Sequence, residues 1–118
     1  MMADFITYVD ELIAQFQDEE QILITSDRKD EANFAKIKTN ICEICKTLYS
    51  VSAKRASGEA LKEEYLRQLT RLPENRKLSY EKAKEHNDIA KMVIEEVKLE
   101  VLNNIKEKYM EVAAEAVE

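Results

Sequence analysis

The chain has 118 residues, which is enough for one domain with one hydrophobic core. It contains a single glycine and a single proline, too few for the turns of a β-sheet protein of this size. Charged residues (36%) accompany hydrophobic residues (45%), a combination typical of amphipathic helices. The composition therefore predicts an all-α domain over residues 1–118, an antiparallel bundle of about four helices with a long C-terminal helix.

The charge and the apolar runs also exclude some classes of protein. A net charge of −6 argues against binding nucleic acid or an anionic membrane through the whole surface. The longest apolar runs are short, such as Ile22–Ile24 and Met92–Ile94, whereas a membrane-spanning helix needs about 20 apolar residues. The first residues resemble no signal peptide. We expect a cytoplasmic protein with no membrane contact.

The first two predicted helices are separated by a polar loop at Thr25–Asp27. Helix 1 is predicted over residues 3–25 and helix 2 over residues 28–55. In helix 2, apolar residues recur at alternating spacings of three and four, which is a heptad pattern. This pattern predicts that Ile41 and Ile44 are core residues. Its members are Phe34, Ile37, Ile41, Ile44, Leu48 and Val51.

The second half of the chain is divided by its glycine and its proline. Ser57-Gly58 ends the segment of helix 2, and Pro73 is expected to separate helix 3, over residues 59–72, from helix 4. Helix 4 is predicted to start between residues 74 and 80 and to end near 116, a length of ~55 Å. It would therefore extend beyond its neighbours. No internal repeat is apparent.

Helix 4 carries two apolar stripes, where a surface helix needs one. The first stripe is expected to face the core, and the second is predicted to be an oligomer interface that makes the protein a homodimer. The core stripe comprises Ala90, Val93, Ile94, Val97, Val101 and Ile105. The interface stripe comprises Met92, Leu99, Leu102, Met110, Ala113 and Val117.

The sequence offers two cysteines and one histidine as reactive side chains. Cys42 and Cys45 form a C-x-x-C pattern inside a long helix, whereas redox sites of this pattern follow a strand. A structural zinc site needs four ligands, and His86 is the only further Cys or His. We therefore expect the cysteines to pack as small apolar residues and His86 to face the core. No catalytic residue, metal or cofactor is predicted.

Two acidic stretches resemble the magnesium-binding motifs of all-α nucleotide pyrophosphohydrolases of the MazG type. In that family Glu-Glu-x-x-Glu on one helix and Glu-x-x-Asp on the next hold Mg²⁺. The corresponding stretches here are Glu63-Glu64-Tyr65-Leu66-Arg67 and Glu85-His86-Asn87-Asp88. The resemblance implies a magnesium-dependent enzyme, but Arg67 places a cation where the third carboxylate belongs.

The middle of the chain is basic, while residues 1–31 are strongly acidic. The basic segment, residues 54–84, would suit binding of nucleic acid or an acidic protein if its charges lay on one face. Alternatively, it forms a solvated surface that pairs with the acidic first helix. Its basic residues include Lys54, Arg55, Arg67, Arg71, Arg76, Lys77, Lys82 and Lys84.

These patterns favour a non-catalytic helical module that interacts with other proteins or has a structural role, and that associates with itself. The first alternative is a regulatory binder of nucleic acid or an acidic protein through residues 54–84. The second is the small magnesium-dependent pyrophosphohydrolase. The sequence indicates neither a specific partner nor a ligand.

Overall fold

A computed structural model describes the backbone of residues 2–117 and the side chains of residues 4–114. The described backbone forms α-helices and no strand, which confirms the predicted all-α bundle. None of the helices within this range is sufficiently long and apolar to cross a membrane. The helices are α1 (Met2–Thr25), α2 (Lys29–Arg55), α3 (Gly58–Glu85) and α4 (Ile89–Val117).

The boundary between the last two helices was predicted wrongly. Pro73 lies inside α3 and is buried, and α4 begins at Ile89. Proline costs one helical hydrogen bond, but buried positions continue along α3 from Tyr65 and Leu69 through Pro73 to Ala83, so packing outweighs this cost. At ~1.5 Å per residue α3 and α4 are similar in length. The prediction that helix 4 extends beyond its neighbours is therefore also wrong.

The two helical hairpins, α1–α2 and α3–α4, are closed by the same kind of loop. Asp27 and Asn87 have φ of 60° and 55°, in the left-handed region. The N–H of the following residue then donates to a carbonyl of the preceding helix: Arg28 to Leu23, and Asp88 to Ala83, each at 2.8 Å. This is the Schellman ending of a helix. Equivalent loop positions are 60 residues apart.

The same shift of 60 residues relates the buried positions of the two hairpins. The expectation of no internal repeat is therefore wrong at the level of structure. The repeat escapes notice because few paired residues are identical, Leu12 with Leu72, Lys38 with Lys98 and Tyr49 with Tyr109 being among the exceptions. Buried pairs include Phe5 with Tyr65, Val9 with Leu69, Leu23 with Ala83, Ile41 with Val101, Cys42 with Leu102 and Cys45 with Ile105.

An aromatic cluster of Phe5, Tyr49, Tyr65 and Tyr109 joins the two hairpins. Ring centroids of Phe5 and Tyr109 are 5.1 Å apart, and those of the equivalent pair, Tyr65 and Tyr49, are 5.0 Å apart. The rings meet edge to face, an arrangement that stabilises aromatic pairs. Each hairpin thus contributes equivalent rings to one shared core.

The helices α2 and α4 pack against each other between the two outer helices, with α1 on α2 and α3 on α4. Ile41 is buried, as predicted. Ile44 is 45% exposed, so its assignment to the core is wrong. The apolar stripe of α2 is wider than the surface that its neighbours cover.

Candidate functional site

A cleft opens where α2, α3 and α4 meet. It encloses about 360 Å³, which lies in the size range of small-molecule sites. Its walls combine an apolar surface with the cations Arg76 and Lys98 and the amide of Asn40. We call it the three-helix cleft. Its apolar lining consists of Ile37, Ile41, Ile44, Leu72 and Leu102.

The charges beside the three-helix cleft centre on Glu95 of α4, which is 3% exposed. Its Oε1 is 3.8 Å from Nη1 of Arg76 and 3.6 Å from Nζ of Lys98. Both distances are longer than a hydrogen bond. Its Oε2 is buried and has no hydrogen-bond partner among the described residues. The carboxylate therefore attracts both cations without being satisfied by either.

Helical periodicity places these side chains together. Arg76 follows Leu72 by four residues on the inner side of α3, and Lys98 follows Glu95 by one turn of α4. Our sequence reasoning counted Arg76 in the basic segment and did not single out Glu95. The sequence did contain a signal for Glu95. Met92, Glu95 and Leu102 share one stripe of α4, so an acidic residue lies among apolar residues there.

The predicted interface stripe of α4 does not form one exposed surface. Leu102 is 1% exposed and belongs to the main core, so its assignment to an interface is wrong. Both stripes obey helical spacing, so spacing alone does not decide which of them faces the neighbouring helices. Met110 is exposed, whereas Met92, Leu99 and Ala113 are partly buried. The side chain of Val117 lies outside the described range.

The assumed core stripe of α4 is correct only in its C-terminal half. Val101 and Ile105 are buried, but Ala90 and Val93 are exposed. Ile94 and Val97 are partly buried.

The structure separates the two acidic stretches that resemble the pyrophosphohydrolase motifs. Glu64 and Glu85 lie on the same helix, ~30 Å apart along its axis at 1.5 Å per residue. Glu64 binds Arg67 at 2.6 Å, and Asp88 caps α4 by accepting a hydrogen bond from the N–H of Lys91. Within the described residues, no three His, Cys, Asp or Glu side chains form a group that could hold a metal ion.

The basic residues of α3 are interspersed with acids. One surface groove is lined by Arg67 and Arg71 together with Glu63 and Glu74. Arg76 turns inward to Glu95. The expected pairing with the acidic first helix is wrong for α3, because α1 packs on α2 and α4. Among the described residues, Asp10 of the first helix forms an ion pair with Lys46 of α2.

Cys42 and Cys45 are fully buried, in agreement with their predicted packing as apolar residues. Burial raises the pKa of Cys42 to about 11 and that of Cys45 to about 12, so both are protonated thiols at neutral pH. His86 was predicted wrongly to face the core. It is exposed at the end of α3, with Nδ1 2.8 Å from the carbonyl oxygen of Lys82.

The three-helix cleft thus brings charged and apolar groups together in one place. Comparison with protein families, curated proteins and solved structures finds no match to this chain, so its own residues carry the functional argument.

Proposed function

We propose that this protein is a non-catalytic helical interaction module that associates with itself through the outer face of α2. The supporting observation is the exposed part of the heptad pattern. Ile44 is 45% exposed and Val51 is 36% exposed, and Leu48 lies partly buried between them. Residues spaced by four and three share one side of a helix. We call Ile44, Leu48 and Val51 the α2 stripe.

A second copy of the chain is the occupant that best fits the α2 stripe. Heptad spacing is the pattern by which one helix packs along another, and two-fold pairing is the commonest form of self-association. Full burial of an exposed side chain of this size contributes about 1.5–3 kcal/mol, and covering Ile44 and Val51, which are more than half buried already, contributes a fraction of this. The α2 helix is ~40 Å long at 1.5 Å per residue, long enough for a helix-to-helix interface. The interface that the sequence predicts on helix 4 is a weaker candidate. Met110 is exposed there, but Leu102 is buried in the core.

The test is Val51→Glu, which places a charge on the α2 stripe without touching the three-helix cleft. We expect the wild-type chain to sediment as a dimer and Val51→Glu to sediment as a monomer with an unchanged helical circular dichroism spectrum. The matched control is Ser50→Glu, because Ser50 is exposed and points away from the stripe. A wild-type monomer, or a dimer that survives Val51→Glu, would overturn the proposal.

A further inference from the structure

The relation between the two hairpins gives the three-helix cleft a counterpart in the first half of the chain. The shift of 60 residues equates Arg76 with Phe16 and Lys98 with Lys38. Phe16 is partly buried and packs against the main core. The Nζ of Lys38 lies 5.5 Å from the centroid of its ring. The position that Arg76 occupies in the second hairpin is therefore occupied in the first by an aromatic ring packed against the core.

In the second half the same position is open and charged. Arg76 stands where the ring would be, and Glu95 stands where the first hairpin has the buried Ala35. The second hairpin thus has a carboxylate where the first has a small apolar residue. A carboxylate is costly to bury without hydrogen bonds. A buried alanine and a packed aromatic ring, as in the first hairpin, are the more stable arrangement for a protein core. The second hairpin lacks this packing and has instead a cavity with two cations in its wall.

The charge at this wall is unbalanced. Arg76 and Lys98 bring two positive charges, and the carboxylate of Glu95 neutralises one of them. Neither cation donates a hydrogen bond to Glu95 at the observed distances, so their N–H groups remain available to another acceptor. The rest of the lining is largely apolar and includes Ile41 and Leu102. The cleft thus complements a molecule with an anionic end and an apolar body.

We propose that the three-helix cleft binds a small amphipathic carboxylate. Its anionic group is held by Arg76 and Lys98, and its apolar body occupies the space that Phe16 fills in the first hairpin. Paired N–H groups of arginine suit a carboxylate, and a charge-assisted contact in a partly dry site is stronger than one in water. The cleft shares Ile44 with the α2 stripe proposed for self-association, whereas Arg76 and Lys98, which hold the anionic group, lie on other helices.

The probe for this proposal is phenylbutyrate, compared with phenylbutylamine and phenylbutanol, which share its ring and chain but carry a positive charge or none. Amide chemical-shift mapping by NMR on the full chain should show phenylbutyrate shifting signals around Arg76, Lys98 and Leu102. The amine and the alcohol should bind at least about tenfold more weakly, as expected for loss of a charge-assisted contact. Equal binding of all three, or shifts elsewhere only, would overturn the proposal.

Variants inside and outside the cleft test whether phenylbutyrate binds in the cleft or elsewhere on the surface. Lys98→Gln should weaken phenylbutyrate binding about tenfold, whereas Lys38→Gln and Arg71→Gln, which remove the same charge elsewhere, should not.

The double variant Arg76→Phe with Glu95→Ala copies the residues of the first hairpin. We expect it to fold, to keep the oligomeric state of the wild type and to lose phenylbutyrate binding. Retained binding in this variant, with a helical spectrum, would show that the ligand does not occupy the cleft.

Discussion

Two tyrosines of the aromatic cluster occupy similar surroundings but differ in their hydroxyl groups. The hydroxyl of Tyr65 donates a hydrogen bond of 2.8 Å to the carbonyl oxygen of Cys45. The hydroxyl of Tyr109 is buried and has no hydrogen-bond partner among the described residues. A satisfied buried hydroxyl stabilises the fold, whereas an unsatisfied one is a cost. The two residues therefore offer a matched comparison within one core.

Tyr65→Phe should lower the free energy of unfolding by about 0.5–1.5 kcal/mol, the usual net contribution of a hydrogen bond. Tyr109→Phe should leave it unchanged or raise it, because the substitution removes an unpaired polar atom from the core. Urea unfolding followed by circular dichroism measures both. Equal losses in the two variants would contradict the difference between the hydroxyl groups.

Pro73 and Asn87 show why one helix boundary was predictable from the sequence less well than the others. Helix 2 was predicted at 28–55 and observed at Lys29–Arg55, because its heptad pattern is regular and polar residues precede it. The intrinsic preference of Pro73 predicts a helix boundary, and tertiary packing overrides this preference. The true boundary is at Asn87, a non-glycine residue in the left-handed region, and asparagine is a weaker signal than glycine.

The candidate site was less predictable than the fold. Arg76 and Glu95 lie on different helices and meet because the loop at Asn87 reverses the chain between them. With the boundary placed near Pro73, both residues fell on one continuous helix and could not face each other. The apolar face of helix 2 was predictable from spacing, but the extent of its burial depends on its neighbours, as Ile44 shows.

The loop at Asn87 gives a direct test of the hairpin geometry. At φ of 55° a residue with a Cβ atom is strained and glycine is not. Asn87→Gly should therefore be more stable than Asn87→Ala by about 1 kcal/mol, although glycine is usually the poorer residue in a folded chain. Thermal unfolding of the two variants measures the difference. If the alanine variant is the more stable, the loop does not have this conformation.

The core of the whole molecule contains four weakly acidic groups, and their burial makes stability depend on pH in the alkaline range. Burial raises the pKa of Cys42 from 9.0 to about 11, that of Cys45 to about 12, and that of Tyr109 from 10.0 to about 12. The pKa of Tyr65 is raised as well, for the same reason. Each group therefore keeps its proton in the folded state at pH values where the unfolded chain releases it.

The free energy of unfolding should consequently be independent of the two thiols below their unfolded pKa of 9.0 and of the two tyrosines below their unfolded pKa of 10.0, and it should fall as the pH rises from 9.0 towards 12. Between pH 9.0 and 10.0 the thiols dominate, because the ordinary pKa of tyrosine is higher. Cys45→Ala should make this fall less steep. Urea unfolding at several pH values measures the slope, and an identical slope in wild type and variant would contradict burial of a neutral thiol.

The aromatic cluster also sets an order of events during synthesis. Contacts within the α1–α2 hairpin join residues that are near in sequence, so this hairpin can close once Arg55 has left the ribosome. Its rings, Phe5 and Tyr49, lack their partners until Tyr65 and then Tyr109, near the end of α4, have been synthesised. While α3 and α4 are being synthesised, the nascent chain therefore presents an incomplete aromatic cluster. The last turns of α4 complete this cluster, and until then the exposed apolar surface makes the chain prone to aggregation.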